Sequence, residues 1–232
     1  PAAEDHAQAV AIQNGKILVA GYTNRFGSND ILLLRFNANA TLDATFDGDG
    51  RRIFISSGDD RAQATAVQPD GKIVVAGYTN VLGSNDFFIL RFNVNGSLDS
   101  SFDNDGRVIL SGSGNDRALA VALQLDGKIV VAGTTDVSGN NDFLIIRLTA
   151  NGSVDGTFGS SGRQVISGFG GNEQAQAVAL QTDGRIVVAG YTNAAGTNDF
   201  AVARLNTNGS LDISFDIDGR VVISGFGGDD QA

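Results

Sequence analysis

Cysteine is absent from the 232 residues, which excludes disulfides, thiolate metal sites and cysteine catalysis. Histidine occurs once, as His6, so neither a histidine-based triad nor a multi-histidine metal site can be built. There is no tryptophan, and Tyr22, Tyr78 and Tyr191 are the only tyrosines, a thin supply of rings for stacking a sugar. Basic side chains number 16 against 26 acidic ones, a net charge of -10. That balance argues against a nucleic-acid backbone or an anionic membrane surface as partner and makes cations the natural counterpart. No apolar run approaches the ~20 residues of a membrane span, and no signal peptide is present. The chain starts PAAEDH without an initiator Met and stops at GGDDQA, which reads as a mature fragment whose targeting segment lies outside it. Proline is also scarce, at 2 residues, whereas glycine reaches 31, nearly double the usual ~7%. With frequent Asn-Gly and Asp-Gly pairs, this composition signals many tight turns.

What is abundant is repetition. Gly21, Gly77, Gly133 and Gly190 are separated by 56, 56 and 57 residues. The same separations relate Asp30, Asp86, Asp142 and Asp199, and also Arg35, Arg91, Arg147 and Arg204. Phe46, Phe102, Phe158 and Phe215 repeat in step with them. The units run approximately 5-59, 60-115, 116-172 and 173-229, with 230-232 beginning another, and the whole of 1-232 is read as one repeat domain.

Each unit holds four strand-like stretches. The first carries Ala at every second position, as at Ala62, Ala64 and Ala66, which predicts a strand whose small face lies where space is short. The second, GKIVVAGYT, and the third, NDFFILRFN, are apolar on both faces and predict strands covered on both sides. The fourth, RVILSG, is short and follows a DxDG turn. Helical spacing is absent. Four doubly covered strands per unit at a near-constant period predict an all-β propeller of four ~56-residue blades, the Ala strand innermost. An open β-repeat array or a solenoid is the alternative.

The pattern DGKIVVAGYT followed by NDFxxxRxNxNGSLDxSFDxDGRV resembles the bacterial delta-sixty repeat, over essentially all of the chain. The resemblance implies a propeller of otherwise unknown function in large exported or surface-attached proteins, and it brings no catalytic residues with it.

Candidate sites are acidic. LDSSFDNDGRVI, from Leu98, has the alternating carboxylates that in other proteins wrap calcium, and its counterparts make Asp47 and Asp49, Asp103 and Asp105, and Asp216 and Asp218 the candidate metal ligands. The third unit has Gly159 and Ser161 instead, and two carboxylates per loop fall short of a full ligand set. A hairpin turn explains the same residues without metal. A second acidic set marks the unit boundaries: Asp59 and Asp60, Asn115 and Asp116, Asn172 and Glu173, Asp229 and Asp230. These read as solvated loop charge, with calcium between blades as the alternative. Asp30 and its counterparts read as turn caps at a strand entry, and Arg35 and its counterparts as cross-blade partners of the SLD or DxDG carboxylates.

Nearly every acid recurs in equivalent positions, so no copy stands out as a single active site. The sequence therefore leads to a non-enzymatic, exported module with a structural, adhesive or filament-forming role at the bacterial surface, stabilised by calcium. Its expected partners are further copies of itself, other surface proteins and glycans, without nucleic acid or membrane insertion. A carbohydrate- or protein-binding propeller is the alternative.

Overall fold

The computed structural model describes residues 3–112, 114–224 and 230. Among the described residues sixteen strands form four separate four-stranded antiparallel sheets, each in the order of the chain. Blade 1 comprises β1 (Asp5–Gln13), β2 (Lys16–Thr23), β3 (Asp30–Phe36) and β4 (Arg51–Phe54). Blade 2 comprises β5 (Asp60–Val67), β6 (Ile73–Thr79), β7 (Asp86–Phe92) and β8 (Arg107–Leu110). Blade 3 is β9 (Asp116–Leu123), β10 (Ile129–Thr135), β11 (Asp142–Leu148) and β12 (Arg163–Ile166). Blade 4 is β13 (Glu173–Leu180), β14 (Ile186–Thr192), β15 (Asp199–Leu205) and β16 (Arg220–Ile223). The protein is thus all-β, with four propeller blades whose strands fall within the repeat units. The chain divides into two compact units, 1–111 and 112–232, each holding two blades.

Within each unit the blades stack face to face. In the first, β5 lies against β1, β2 and β3, and a core of Leu18, Leu33, Ile73, Phe88, Leu90 and Phe92 fills the space between the two sheets. In the second, β13 lies against β9, β10 and β11 over Val130, Phe143, Ile145, Ile186, Val188 and Leu205. Every residue of β7 and β11 is buried, as the two-sided apolar pattern of the middle strands predicts.

The alanine strand departs from the simple alternation read in the sequence. A bulge lies between Ala7 and Ala9, and again between Ala62 and Ala64, and between Ala175 and Ala177, with a matching register shift opposite Ala118 and Ala120. Ala62 pairs with Gly77 and Ala64 with Ala76, adjacent residues of β6, so the two alanines face opposite sides. The bulge also accounts for the repeating glycine. A Cβ on Gly21, Gly77, Gly133 or Gly190 would sit 1.8–1.9 Å from the carbonyl oxygen of His6, Arg61, Arg117 or Gln174. No side chain fits there.

Candidate functional site

The repeating arginine anchors a buried polar cluster in every blade. Arg35 donates from Nε to Asp43 at 2.7 Å and from Nη2 to the Thr45 hydroxyl, and its guanidinium lies 4.6 Å from the centroid of the Phe46 ring. Arg91 with Asp99 and Phe102, Arg147 with Asp155 and Phe158, and Arg204 with Asp212 and Phe215 repeat the arrangement, with Nε to carboxylate distances of 2.7–2.8 Å. The partner is the SLD carboxylate of the same blade, not one across blades. What does cross within a unit is a hydrogen bond to main chain: Nη1 of Arg35 reaches the Val94 carbonyl and Nη1 of Arg147 the Thr207 carbonyl.

A second cation completes each cluster. Lys16, Lys72, Lys128 and Arg185 lie 2.5, 2.9, 3.3 and 3.0 Å from the same four carboxylates. The sequence reading passed over these residues, although they keep the same 56, 56 and 57 separations. Lys16 and the Thr45 and Arg35 donors hold the Asp43 carboxyl well below the usual range. Burial pushes Asp99 and Asp155 the other way, yet Lys72 and Ser101 at the first, and Thr157 and Arg147 at the second, bring both far down.

The DxDG residues form tight turns. Asp47, Asp103 and Asp216 have φ of 49°, 47° and 44°, and Gly159 has 52° at the same place in the third copy. A left-handed residue is the requirement there, which explains how Gly replaces Asp without loss of the turn. The second carboxylate caps it: Asp49, Asp105 and Asp218 accept the amide N–H of Arg51, Arg107 and Arg220. Asp105 and Asp218 also pair with the side chains of those last two arginines, and Asp47 lies 3.4 Å from Arg52. Among the described residues, no group of three or more His, Asp or Glu side chains gathers on one point.

The boundary acids and the strand-entry Asp behave differently from what their charge suggests. Asp30 and Asp60 are both 0% exposed, and Asp142 and Glu173 are also buried, so Asp60 and Glu173 are not solvated loop charge and Asp30 and Asp142 are not simple turn caps, whereas Asn115 and Asn172 are exposed as expected. Asp30 opens β3 and Asp60 opens β5, and the Asp60 amide donates to the Asn29 carbonyl at 2.7 Å. The Glu173 amide donates likewise to Asn141, beside Asp142. Each seam between blades within a unit thus joins two acidic side chains. The first boundary residue knits the seam: Asp59 accepts the Asn29 amide, and the Asn172 side chain accepts that of Asn141. Asp229 lies outside the described residues, and Asp230 donates its amide to the Asn198 carbonyl at 2.6 Å in the same way.

Neither carboxyl oxygen of Asp30 or of Asp60 has a hydrogen-bond partner of good geometry. Burial raises the pKa of both, offset in part by the nearby Ser56 and, for Asp60, Thr79, and raised further by Asp59. Glu173 is pushed up to about 7, by burial first and then by its contact with Asp142, while its Oε1 accepts the Gly171 amide. No Arg, Lys or His lies within ion-pair distance of these four carboxyls among the described residues. The remaining sequence candidates are packing groups. His6 stacks on Tyr22, which the Arg61 guanidinium also meets, and Thr134, which replaces Tyr in the third copy, donates to the Glu173 carbonyl.

Solved structures resemble the chain at low identity. An α-L-arabinofuranosidase of Podospora anserina, PaAbf62A in complex with cellotriose, aligns with 89% of this chain and 65% of its own at 12% identity and a TM-score of 0.48. Domains 1-2 of the extracellular part of Drosophila Semaphorin 1b align with 87% of this chain and 37% of their own, at 14% identity and a TM-score of 0.51. The chain therefore spans less than two thirds of the length of either. No curated protein sequence matches it. A family model matches at residues 12–46, 68–102, 124–158 and 181–215, one segment per blade and more than half of the chain in total. Those segments run from the end of the alanine strand to the Phe beneath each arginine, and by them the chain belongs to the family described as "Domain of unknown function (DUF5122) beta-propeller".

Proposed function

We propose that the protein is a non-catalytic, exported structural module whose blades stack on those of a second copy to build an adhesive or filamentous assembly at the bacterial surface. The observation that carries this reading is an open blade face in each compact unit. In the first unit Leu32, Leu34 and Ile53 of blade 1 are only half-buried and line an open cleft with Ala3, Asp5 and Arg25, while Val10 and Ile12 are exposed. Their counterparts in blade 2, Phe88 and Leu90, are fully inside the core, covered by blade 1. In the second unit Val187, Phe200 and Val202 of blade 4 are half-buried, whereas Val130, Phe143 and Ile145, their counterparts in blade 3, are buried by blade 4. One unit leaves open the kind of face that receives a preceding blade, and the other the kind that receives a following one. A copy placed head to tail satisfies both, by the packing already used inside each unit.

The recurring polar groups support a structural role, since the arginine clusters are spent inside each blade. The exported setting is supported by the resemblance of the repeat to those of exported or surface-attached proteins. Light scattering coupled to size exclusion tests the reading. The expected result is mass that rises with protein concentration and falls to that of one chain on Leu34→Glu. A single-chain mass at every concentration, with retention on a glycan or protein column, would instead favour the binding-module reading.

A further inference from the structure

We infer that the carboxylate pairs Asp30–Asp60 and Asp142–Glu173 are two divalent-cation sites of the calcium type, one at the seam between blades in each unit. The inference goes beyond the assembly reading and does not depend on it. Two acidic side chains, delivered by the third strand of one blade and the first strand of the next, are buried together with no basic group near them. No hydrogen bond of good geometry reaches either oxygen of Asp30, either of Asp60 or Oε2 of Glu173, although Ser56, Thr79 and Asp142 lie close by. Buried carboxylates in this condition need a proton or a cation to be tolerated. The blade that has no predecessor in the first unit makes the point from the other side: Asp5, at the position of Asp60, is exposed.

The surrounding donors choose the kind of cation. Ser56 and Thr79 bring hydroxyl groups to the first pair, and the Ser138 hydroxyl bonds Asp142 in the second. The ligands that these residues offer are oxygens, which suits a hard cation and disfavours zinc or copper. Two carboxylates balance a dication's charge, and hydroxyls, carbonyls and water must supply the rest, since no third acid closes on either pair among the described residues. Calcium tolerates such an irregular, partly hydrated shell, whereas magnesium demands near-octahedral geometry.

Equilibrium dialysis of the chelator-treated whole chain against calcium at neutral pH, with magnesium as control, tests the inference. The expected result is uptake of two or more calcium ions per chain, with Kd of order 10⁻⁴–10⁻³ M as in extracellular modules, and little uptake of magnesium. The double variant Asp60→Asn, Glu173→Gln should lose two of those ions and the associated rise in Tm. It removes charge without changing shape, so it is expected to fold. Asp105→Asn, in a DxDG turn, should keep the full uptake. Absence of calcium uptake by the unaltered chain at about ten times the upper Kd would overturn the inference, and would mean that protons neutralise the pairs. Retention of full uptake by the double variant would overturn it as well, and loss in Asp105→Asn would move the metal to the DxDG loops.

Discussion

Asp43, Asp99, Asp155 and Asp212 each meet two basic side chains, whereas Asp30, Asp60, Asp142 and Glu173 meet none. Both sets are buried, both recur with the repeat, and both sit where strands begin or turn. The difference lies in what each does for the fold. The first set completes the inside of a blade, and its partners drive the carboxyl pKa down even where burial would raise it. The second set faces a neighbouring blade, and its pKa rises. A buried charge says little about stability until its partners are counted.

Substitutions can break this contrast, beginning with the largest effect. Asp99→Ala leaves Arg91 and Lys72 without their carboxylate, one of them deep in the blade, and should cost about 3–5 kcal/mol in urea unfolding. Gly77→Ala tests the frame that holds both sets, because its Cβ would meet the Arg61 carbonyl oxygen. A loss of roughly 1–3 kcal/mol is expected, or failure to fold if the bulge cannot widen. Acid should act on the two sets with opposite sign: the raised seam carboxyls take up a proton and lose their buried charge, whereas the paired set is weakened. The folded pKa values of the paired set are depressed, so the stability it contributes is present above the unfolded carboxyl value of about 4 and is lost as the pH falls below it. Urea midpoints measured from pH 5 downward should drop accordingly, and Asp99→Asn should flatten that drop. Asp60→Asn in chelator should be neutral or up to about 1 kcal/mol stabilising, the opposite sign to Asp99→Asn. Asp105→Asn should change stability by less than about 0.5 kcal/mol, since that carboxylate is half exposed at the surface.

Much of the fold was legible in the residues, because a repeat states its own period and the two-sided apolar strands show that something covers both faces. The bulge was not. Alanine at alternate positions looks like an unbroken strand, and only the pairing of Ala62 with Gly77 and Ala64 with Ala76 exposes the extra residue. The clue was the repeating glycine itself, set in the middle of a strand where no turn is needed. Lys72 and its counterparts were visible by their spacing, but a DGK stretch is so ordinary at a turn that its basic residue passes for solubility. The seam pairs were hidden for a different reason. Asp30 and Asp60 belong to different units at different phases, and each alone resembles surface charge, so only the stacking of β5 against β3 brings them together.

The arginine cluster has one further consequence. Arg, Asp, the second cation and Phe all come from a single unit, and what a blade asks of its neighbour at this point is a main-chain carbonyl. Any sequence supplies a carbonyl. A gene segment encoding one unit can therefore be duplicated, deleted or moved along the array without separating a charge from its counter-charge, and the length of such proteins becomes free to drift by recombination while each blade stays whole.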